Sequence, residues 1–495
     1  MKPTAIFKYL SDKSDSMELL SYIRRNIATA PSLSRLYTQR DGVDLPKRRF
    51  YFALEKRCRR FIEGDMMSKS VVLPGLRGTG KTTALLQLYR YLTENLKIPR
   101  ERVLYINLEE VAQMLGSSLY EVVEVYLQEI LESYPENLKE HVFLLVDEAH
   151  FDKKWQVGVK LLHDRSQKTF IAVTGSSSIA LEITPDLVRR VVRENVYPLS
   201  FSEYVLLKHE IYKPRDTCQI LRDAIFRGRF DGLNTLYNRL LLRLSEKLPT
   251  SPEVEFKKYL RIGGFAFGLE TEDEKEVHRR VMEMVEKIIR VDMPTVVNMT
   301  TETIPYVFKI IIFMALQSPG GISIRKIEDR LNIKKDTAAK ILDALEKTRL
   351  IFKVIPLNGA GAQMRKPWKF YFATPTLNYA IIDFLGKYES PELTGTVLET
   401  LVAGYLRRTV DVLRLPYGIF YEYTKKAVDL IIEDAASGER IPVEVTASIR
   451  GEDIRRVRRA MQTYSSPHGI IVTMKGELQI KERIAVLPAM LFSFL

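Results

Sequence analysis

The stretch GLRGTGKT, residues 75–82, decides how the first half of this chain folds. It follows the apolar run VVLP, residues 71–74, and it opens a stretch in which apolar residues recur with helical spacing, TTALLQLYRYLTENL. A buried strand, a glycine-rich loop and a helix in this order match the phosphate-loop pattern. We therefore predict that the backbone N–H groups of the loop and the positive end of the helix surround the phosphates of a nucleoside triphosphate.

Each residue type in this loop has a chemical role. Glycines let the backbone N–H groups turn toward the phosphates, Lys81 reaches the β- and γ-phosphates, and Thr82 supplies its hydroxyl to Mg²⁺. A chance match in a flexible glycine turn is the alternative, and the flanking strand and helix argue against it. The predicted nucleotide-binding residues are Gly75, Arg77, Gly78, Thr79, Gly80, Lys81, Thr82, Thr83 and Ser176.

The run HVFLLVDEAH, residues 141–150, supplies the second half of the same site. Its apolar residues predict a buried strand, and Asp147 at the carboxyl end can hold Mg²⁺ through water, while Glu148 can orient the attacking water. A carboxylate pair after a strand can also cap a helix, but the phosphate loop upstream favours the catalytic interpretation. His150 is interpreted as structural. We predict Lys81, Asp147 and Glu148 as catalytic residues, and Thr82 and Asp147 as metal ligands.

Polar and basic residues after the strand FIAVTG, residues 170–175, are candidates to contact the γ-phosphate. Ser176 could sense this phosphate from the neighbouring strand, although a turn or helix cap fits the serine run equally well. Farther along, Arg189 and Arg190 lie where an arginine could stabilise charge on the transferred phosphoryl group. A solvated arginine is an equal alternative at both positions.

The alternation of apolar runs and helical periods predicts the fold class. Over residues 66–210 it indicates an α/β core with a parallel sheet wrapped by helices, as in P-loop nucleotide-binding proteins. Before it, residues 1–65 are predicted to be helical, with Tyr51, Leu54 and Phe61 on one buried face. The remaining predicted parts are a helical subdomain over 211–300, a winged helix over 301–385 and a mixed α/β domain over 386–495.

Residues 323–350 have the pattern of a helix-turn-helix. The second helix of such a motif can lie in the major groove of DNA, where Lys334, Lys335 and Lys340 would meet phosphates or bases. Acidic residues share this helix, and winged helices inside larger ATPases also serve as packing modules. Contact with DNA is therefore predicted beside a packing role, and exposed lysines would position the protein on phosphates without specifying sequence.

Composition narrows the class of function. The 495 residues include 75 Lys and Arg against 62 Asp and Glu, and the net charge of +13 favours polyanionic partners, with double-stranded DNA expected over a merely solubilising basic surface. Cys58 and Cys218 have no close Cys or His partner in the sequence, which predicts neither a disulfide framework nor a zinc site and fits the cytoplasm. Apolar runs fall short of the roughly 20 residues that span a bilayer, so no membrane role is expected.

Several further pieces of sequence occur together with the phosphate loop and VDEAH: TGSSS, YPLSFSEY, YLRIGGFAFG and PWKFYFATPTLNYAI. In this combination the chain resembles prokaryotic AAA+-type P-loop ATPases whose core is followed by a winged helix and a domain like the PD-(D/E)XK nucleases. PLSFSEY and KFYFATPTLNYAI are the most specific pieces, and the resemblance covers most of the chain. It implies ATP with Mg²⁺ as the bound nucleotide, and it favours Arg190 over Arg189 as a catalytic arginine.

The resemblance extends to the C-terminal domain. Glu399 on a helix, Asp429 in the strand AVDLII and Glu444 in IPVEVTAS resemble the acidic constellation of PD-(D/E)XK nucleases, where such acids gather Mg²⁺ to activate water. The lysine of that motif is replaced here by Thr446. Because a threonine has no positive charge to stabilise the attacking hydroxide or the phosphate, cleavage is expected to be much weakened.

Basic residues near these acids leave two interpretations open. Lys425 or Lys426 could substitute for the missing lysine from a neighbouring position. Otherwise the domain is a relic nuclease fold kept for binding or assembly, for which the arginines after Glu444 are suited. These arginines are Arg450, Arg455, Arg456, Arg458 and Arg459.

Three functions follow from these patterns. The first is an ATPase that couples ATP binding and hydrolysis to DNA binding or remodelling. The second is an ATP-dependent switch or assembly factor that acts on a protein partner or on copies of itself. The third is an ATP-gated, metal-dependent nuclease, against which Thr446 argues. The first is the predicted function.

Overall fold

The computed structural model describes residues 3–175, 184–295, 301–317, 324–357, 367–387, 390–424 and 427–495. Three predicted residues, Ser176, Lys425 and Lys426, lie outside these ranges. By the density of contacts between residues, the chain divides into two units, Met1–Val196 and Tyr197–Leu495. None of the described helices combines the length and apolar character that a bilayer-spanning helix needs.

A parallel sheet forms the centre of the first unit. The strands of this unit are β1 (Gln39–Arg40), β2 (Val43–Asp44), β3 (Ser70–Pro74), β4 (Val103–Asn107), β5 (Val142–Asp147), β6 (Thr169–Gly175) and β7 (Val192–Arg193). The first two form a small antiparallel hairpin. Within the described residues, the other five form a sheet in the order β4-β5-β6-β3-β7, and every neighbouring pair is parallel. The predicted α/β core with a parallel sheet is confirmed.

Helices cover both faces of this sheet. They are α1 (Pro3–Thr38), α2 (Arg49–Ile62), α3 (Lys81–Arg90), α4 (Leu108–Met114), α5 (Leu119–Glu129), α6 (Trp155–Arg165) and α7 (Pro185–Val188). Because successive strand residues point to opposite faces, Val72 enters one hydrophobic cluster and Val71 the other. Residues from the first 65 belong to both clusters, for example Tyr22 and Tyr51. The predicted N-terminal helical region therefore packs into the core of the same unit.

Helix α2 confirms the predicted buried face. Tyr51, Leu54 and Phe61 are fully buried, and Cys58 joins them. This spacing of three and four residues places all four side chains on one side of the helix.

The second unit begins with helices and continues into mixed helix and strand. Within the described residues, helices alone occur between 217 and 287, as predicted for this region. The helices of the unit are α8 (Phe201–His209), α9 (Thr217–Arg227), α10 (Leu233–Lys247), α11 (Pro252–Ile262), α12 (Glu274–Lys287), α13 (Ile304–Leu316), α14 (Ile324–Leu331), α15 (Lys335–Lys347), α16 (Pro375–Phe384), α17 (Pro391–Leu413), α18 (Gly451–Tyr464) and α19 (Ala489–Phe492). Its strands are β8 (Ile351–Pro356), β9 (Lys369–Phe372), β10 (Tyr417–Tyr421), β11 (Leu430–Asp434), β12 (Arg440–Ser448), β13 (Gly469–Lys475), β14 (Gln479–Lys481) and β15 (Ile484–Pro488).

The strands of the second unit form one sheet, in the order β14-β15-β13-β12-β11-β10-β8-β9 among the described residues. Helices α13, α14 and α15 followed by β8 and β9 reproduce the predicted order of three helices and two strands. Strand β8, however, also pairs in parallel with β10. This pairing satisfies backbone groups at an otherwise open edge, and it makes the hairpin of the predicted winged helix continuous with the C-terminal sheet.

Candidate functional site

The phosphate loop lies between the end of β3 and the start of α3. Gly78 and Gly80 have φ angles of 72° and 80°, in the left-handed region where a side chain would be strained. A Cβ atom on Gly75 would lie 2.5 Å from the carbonyl oxygen of Val196. Glycine is therefore required at these positions by backbone conformation or by close approach.

Hydrogen bonds hold the inside of this loop. The Lys81 ammonium donates to the carbonyl oxygens of Gly75 and Leu76, at 2.9 and 2.7 Å. The Thr79 hydroxyl donates to the Leu76 carbonyl at 2.7 Å. From outside the loop, the buried Arg48 guanidinium donates to the carbonyl of Thr79 at 2.5 Å. Arg48 was not found from the sequence, where it is one of many basic residues before α2.

Asp147 at the end of β5 accepts hydrogen bonds from three hydroxyl groups. Thr82 at the start of α3 donates to Oδ2 at 2.6 Å, and Tyr105 of β4 donates to the same oxygen at 3.0 Å. Thr174 of β6 donates to Oδ1. Burial raises the pKa of Asp147, as does the neighbouring charge of Glu148, while the hydrogen bonds from Thr174 and Thr82 oppose this rise. The structure therefore brings Thr82 and Asp147 together as predicted.

Tyr105 and Thr174 are site residues that the sequence analysis missed. Both are buried near the carboxyl ends of the two strands beside β5. In the sequence, each of them is marked only as a polar side chain near the end of a mostly apolar strand. Their partner could not be identified from sequence because it depends on the strand order.

Glu148 follows Asp147 with a φ of 52°, in the left-handed region. Its Oε1 lies 3.9 Å from Nη1 of Arg77, and its Oε2 lies 3.3 Å from Nδ1 of His150. The third side of this triangle is a contact of 3.3 Å between Nη2 of Arg77 and Nε2 of His150. His150, interpreted as structural from sequence, thus contacts both the phosphate loop and the predicted water-orienting glutamate.

The remaining predictions for this site have a mixed outcome. The Arg190 guanidinium donates to the Asp164 carboxylate at 2.7 Å and to the Asp186 carbonyl at 2.5 Å, and its catalytic role stays a prediction. Thr83 is half-buried in the first turn of α3, and its role in nucleotide binding also stays a prediction. Ser176 lies outside the described residues.

The protein donors at this site suit Mg²⁺. A magnesium ion keeps several waters and is bound by one or two protein carboxylates together with substrate phosphates. The Thr82 hydroxyl beside the buried Asp147 carboxylate is such a donor set. The described part of the chain contains no group of three or more His, Cys, Asp or Glu side chains that could hold a metal by themselves.

The C-terminal acids have a lysine among them, and it comes from an unexpected strand. Lys369 of β9 donates to Oε1 of Glu399 at 2.8 Å and to the carbonyl of Asp429 at 3.2 Å. Tyr371 of the same strand also donates to Glu399. Thr446 instead donates to the carbonyl of Ser448 at 3.0 Å. Lys369, which the sequence patterns did not indicate, therefore supplies a positive charge beside Glu399 and Asp429.

Two of these acids, Glu399 and Glu444, are charge-paired within the protein, and Asp429 accepts from the backbone N–H of Val445. Glu444 forms an ion pair with Arg456, as Glu399 does with Lys369. Burial raises the pKa of Asp429 and of Glu444, and the neighbouring carboxylates add to both shifts. Among the described residues no group of three or more His, Cys, Asp or Glu side chains is arranged to hold a metal ion. Metal binding by Glu399, Asp429 and Glu444 stays a prediction.

The predicted DNA-contacting lysines are accessible. Lys334, Lys335 and Lys340 are exposed at the turn before α15 and along its first two turns. Exposure allows contact with a polyanion, and the identity of the partner stays a prediction.

Protein-family models match two segments of the chain. Residues 67–205 match an AAA domain, and residues 253–387 match a domain of unknown function, DUF8612. The AAA domain match supports an ATP-binding core of the ATPase type in the first half of the chain.

A comparison with solved structures matches a Walker-type ATPase of Pyrococcus abyssi, at 16% identity and a TM-score of 0.41, over 70% of this chain and 97% of that chain. The Aeropyrum pernix ORC1 protein, solved in complex with DNA, is 14% identical with a TM-score of 0.31, covering 70% of this chain and 96% of that one. A relative in Methanocaldococcus jannaschii, protein MJ1637, is 30% identical over 478 residues, which are 95% of this chain and 93% of the relative. The chain therefore belongs to the same family as this Methanocaldococcus jannaschii protein.

Proposed function

We propose that this protein is a Mg²⁺-dependent ATPase whose ATP turnover is coupled to nucleic acid, with double-stranded DNA as the partner. One observation carries the ATPase proposal: Thr82 of the phosphate loop donates to Asp147 at the carboxyl edge of the parallel sheet. Lys81 precedes Thr82 in the same loop, and Glu148 follows Asp147. This is the combination of ammonium, hydroxyl and carboxylates that phosphoryl transfer to water uses.

The residues divide the chemistry among them. Lys81 neutralises charge on the β- and γ-phosphates, and Glu148 accepts a proton from the attacking water. The water oxygen bonds to the γ-phosphorus while the bond to the β–γ bridging oxygen breaks, which yields ADP and phosphate. Thr82 and Asp147 would hold Mg²⁺, whose chemistry is to neutralise the phosphate charge. Tyr105 and Thr174 keep the Asp147 carboxylate in one orientation.

Basic surface supports the coupling to nucleic acid. The net charge is +13, and Lys334, Lys335 and Lys340 are exposed. The arginines of α18 contribute less than their number suggests, because Arg456 and Arg458 pair with glutamates. Arg455 and Arg459 of the same helix are exposed. A polyanion that binds such a surface releases counterions, which makes its affinity dependent on salt.

The test is phosphate release from ATP and Mg²⁺, with and without double-stranded DNA. We expect turnover that DNA stimulates, and a loss of about 100-fold or more in Lys81→Ala and in Glu148→Gln, because each variant removes a group that acts in the transition state. Lys97→Ala and Glu129→Gln, which make the same changes at exposed positions, serve as controls.

Two other results would redirect the proposal. Turnover that ignores DNA would favour an ATP-dependent switch that acts on a protein partner. An intact protein that binds ATP but never hydrolyses it, alone or with DNA, would contradict the ATPase.

A further inference from the structure

Arg77 lies inside the phosphate loop, yet its guanidinium contacts two side chains that follow β5. Nη1 of Arg77 lies 3.9 Å from Oε1 of Glu148, and its Nη2 lies 3.3 Å from Nε2 of His150. The side chains of Arg77 and Glu148 are 13% and 18% exposed, so water screens this contact only in part. A residue placed to meet phosphates is thus engaged by the residue that must activate water.

The direction of the hydrogen bond fixes the role of His150. An arginine has only donors, so Arg77 donates and Nε2 of His150 accepts. In a neutral imidazole the proton is then on Nδ1, the nitrogen that lies 3.3 Å from Glu148. His150 therefore presents an acceptor to Arg77 and the partial positive charge of its Nδ1–H to Glu148, at a distance of 3.3 Å but without a hydrogen bond between them, and its side chain is 2% exposed. Its ring also packs on Phe151, with 4.5 Å between ring centroids.

We propose that Arg77 and His150 hold the Glu148 side chain in place when no nucleotide is bound. When ATP binds, its phosphates attract the Arg77 guanidinium away from Glu148, and Glu148 is then released. This inference rests on the proposed ATPase function. Arg77 lies between Leu76 and Gly78 within the loop that receives the phosphates, so ATP competes with Glu148 for the same guanidinium. Phosphate oxygens bind a guanidinium in a bidentate manner and carry more charge than one carboxylate. Glu148 becomes available to water only when nucleotide is present.

The competition predicts a specific pattern in ATP affinity. Removing the charge of Glu148 frees Arg77 for the phosphates, so Glu148→Gln should lower the Kd for ATP by about fivefold or more, the size of an ordinary coupling between sites. In the Arg77→Met background the same substitution should change the Kd by less than about twofold, because no shared guanidinium remains. The Kd is measured with a fluorescent ATP analogue and Mg²⁺, and thermal unfolding of each variant controls for folding.

A pair of substitutions at His150 separates positioning from packing. His150→Phe keeps the ring on Phe151 and removes the acceptor for Arg77, so it should also tighten ATP binding. His150→Gln retains an oxygen that can accept from Arg77, and it should stay close to the intact protein.

Three results would overturn the restraint. If Glu148→Gln lowers the Kd for ATP equally in the intact protein and in the Arg77→Met variant, the effect comes from repulsion between the Glu148 carboxylate and the ATP phosphates. Identical affinities in His150→Phe and His150→Gln would remove His150 from the mechanism. Failure of the intact folded protein to bind ATP would overturn the proposed function together with the restraint, whereas ATP binding without the expected non-additivity would overturn the restraint alone.

Discussion

At the scale of single residues, the nucleotide site depends on how one carboxylate is held. Asp147 is buried and accepts from the hydroxyls of Thr82, Tyr105 and Thr174. An ionised carboxylate in the interior is tolerated when hydrogen bonds replace its water. Each donor also fixes the orientation in which the oxygens face the phosphate loop.

Tyr105→Phe tests this support. The substitution keeps the buried ring and removes one hydroxyl from Asp147. Removing a hydrogen-bond partner of a metal-binding carboxylate typically changes metal affinity by 10- to 100-fold. We therefore expect the Mg²⁺ concentration for half-maximal ATP turnover to rise by about tenfold in this variant. Tyr126→Phe is the matched control, because Tyr126 is buried in the same unit and donates to the carbonyl of Glu101. An unchanged Mg²⁺ requirement in Tyr105→Phe would show that the other two hydroxyls suffice.

Glu255 makes stability of the second unit depend on pH. Burial would raise the pKa of this carboxyl, but hydrogen bonds from His209 and Tyr204 outweigh it and lower the pKa to about 2. Both donors belong to α8, and Glu255 belongs to α11. A pKa lowered by folding stabilises the protein above the ordinary carboxyl value, and this stabilisation is lost as the pH falls toward the folded value.

Glu255→Gln should therefore lower the unfolding free energy most near neutral pH. We expect it to lower the unfolding free energy by about 2 kcal/mol at pH 7, the cost of weakening hydrogen bonds to a charged group. The difference from the intact protein should shrink as the pH falls below about 4.5. Thermal or urea unfolding across this range measures it, and a difference that is constant with pH would contradict the charged interaction.

At the scale of elements, Lys369 links the hairpin β8–β9 to helix α17. Its ammonium is buried with the Glu399 carboxylate, and Tyr371 of the same strand contacts that carboxylate too. Removing one partner of a buried ion pair leaves an uncompensated charge, which typically costs 3–5 kcal/mol. The pairing of β8 with β10 makes the hairpin part of the same sheet. The pair therefore stabilises the position of the hairpin.

A double-mutant cycle measures this link. We expect Lys369→Met and Glu399→Gln each to lower the unfolding free energy by about 3 kcal/mol, and the double variant to recover a large part of the sum, since neither charge then remains buried. The exposed pair of Arg227 and Asp223 on α9, at 3.0 Å, is the control. There the coupling should be about 0.3–0.5 kcal/mol. Additive effects at Lys369 and Glu399 would show that the two charges do not depend on each other.

At the scale of the whole molecule, the excess of positive charge is the feature that most favours a polyanionic partner. The net charge is +13, and the exposed lysines of α15 are part of it. Each lysine that neutralises a DNA phosphate adds about 0.9 to the slope of log affinity against log salt concentration.

Replacement of Lys334, Lys335 and Lys340 by Ala tests their contact with DNA. If all three bind phosphates, affinity should fall and the salt slope should decrease by up to about 2.7. The control removes the same charge from three other exposed lysines, Lys97, Lys139 and Lys153. Equal effects in the two triple variants would indicate a general influence of net charge, and unchanged affinity and slope in the first would exclude the predicted contact.

Local sequence by itself determined the parts of this protein that are contiguous in the chain. The loop of residues 75–82, with its strand and helix, has the geometry that its glycines predict. Asp147 ends a buried strand, as its apolar run predicts. The buried face of α2 also follows from spacing alone. In each case the information lies within one element or one motif, where backbone conformation and periodicity act directly.

Tertiary structure alone decided which distant residues support these parts. Arg48 on the loop, Tyr105 and Thr174 on Asp147, and His150 between Arg77 and Glu148 have no periodic signal that identifies their partners. Lys369 of strand β9 contacts Glu399 and Asp429. The nuclease motif has its lysine at the position that Thr446 occupies in this chain. Such contacts depend on strand order and on pairings such as β8 with β10. A sequence pattern records the preferences of each segment, whereas these contacts arise only when separate segments pack together.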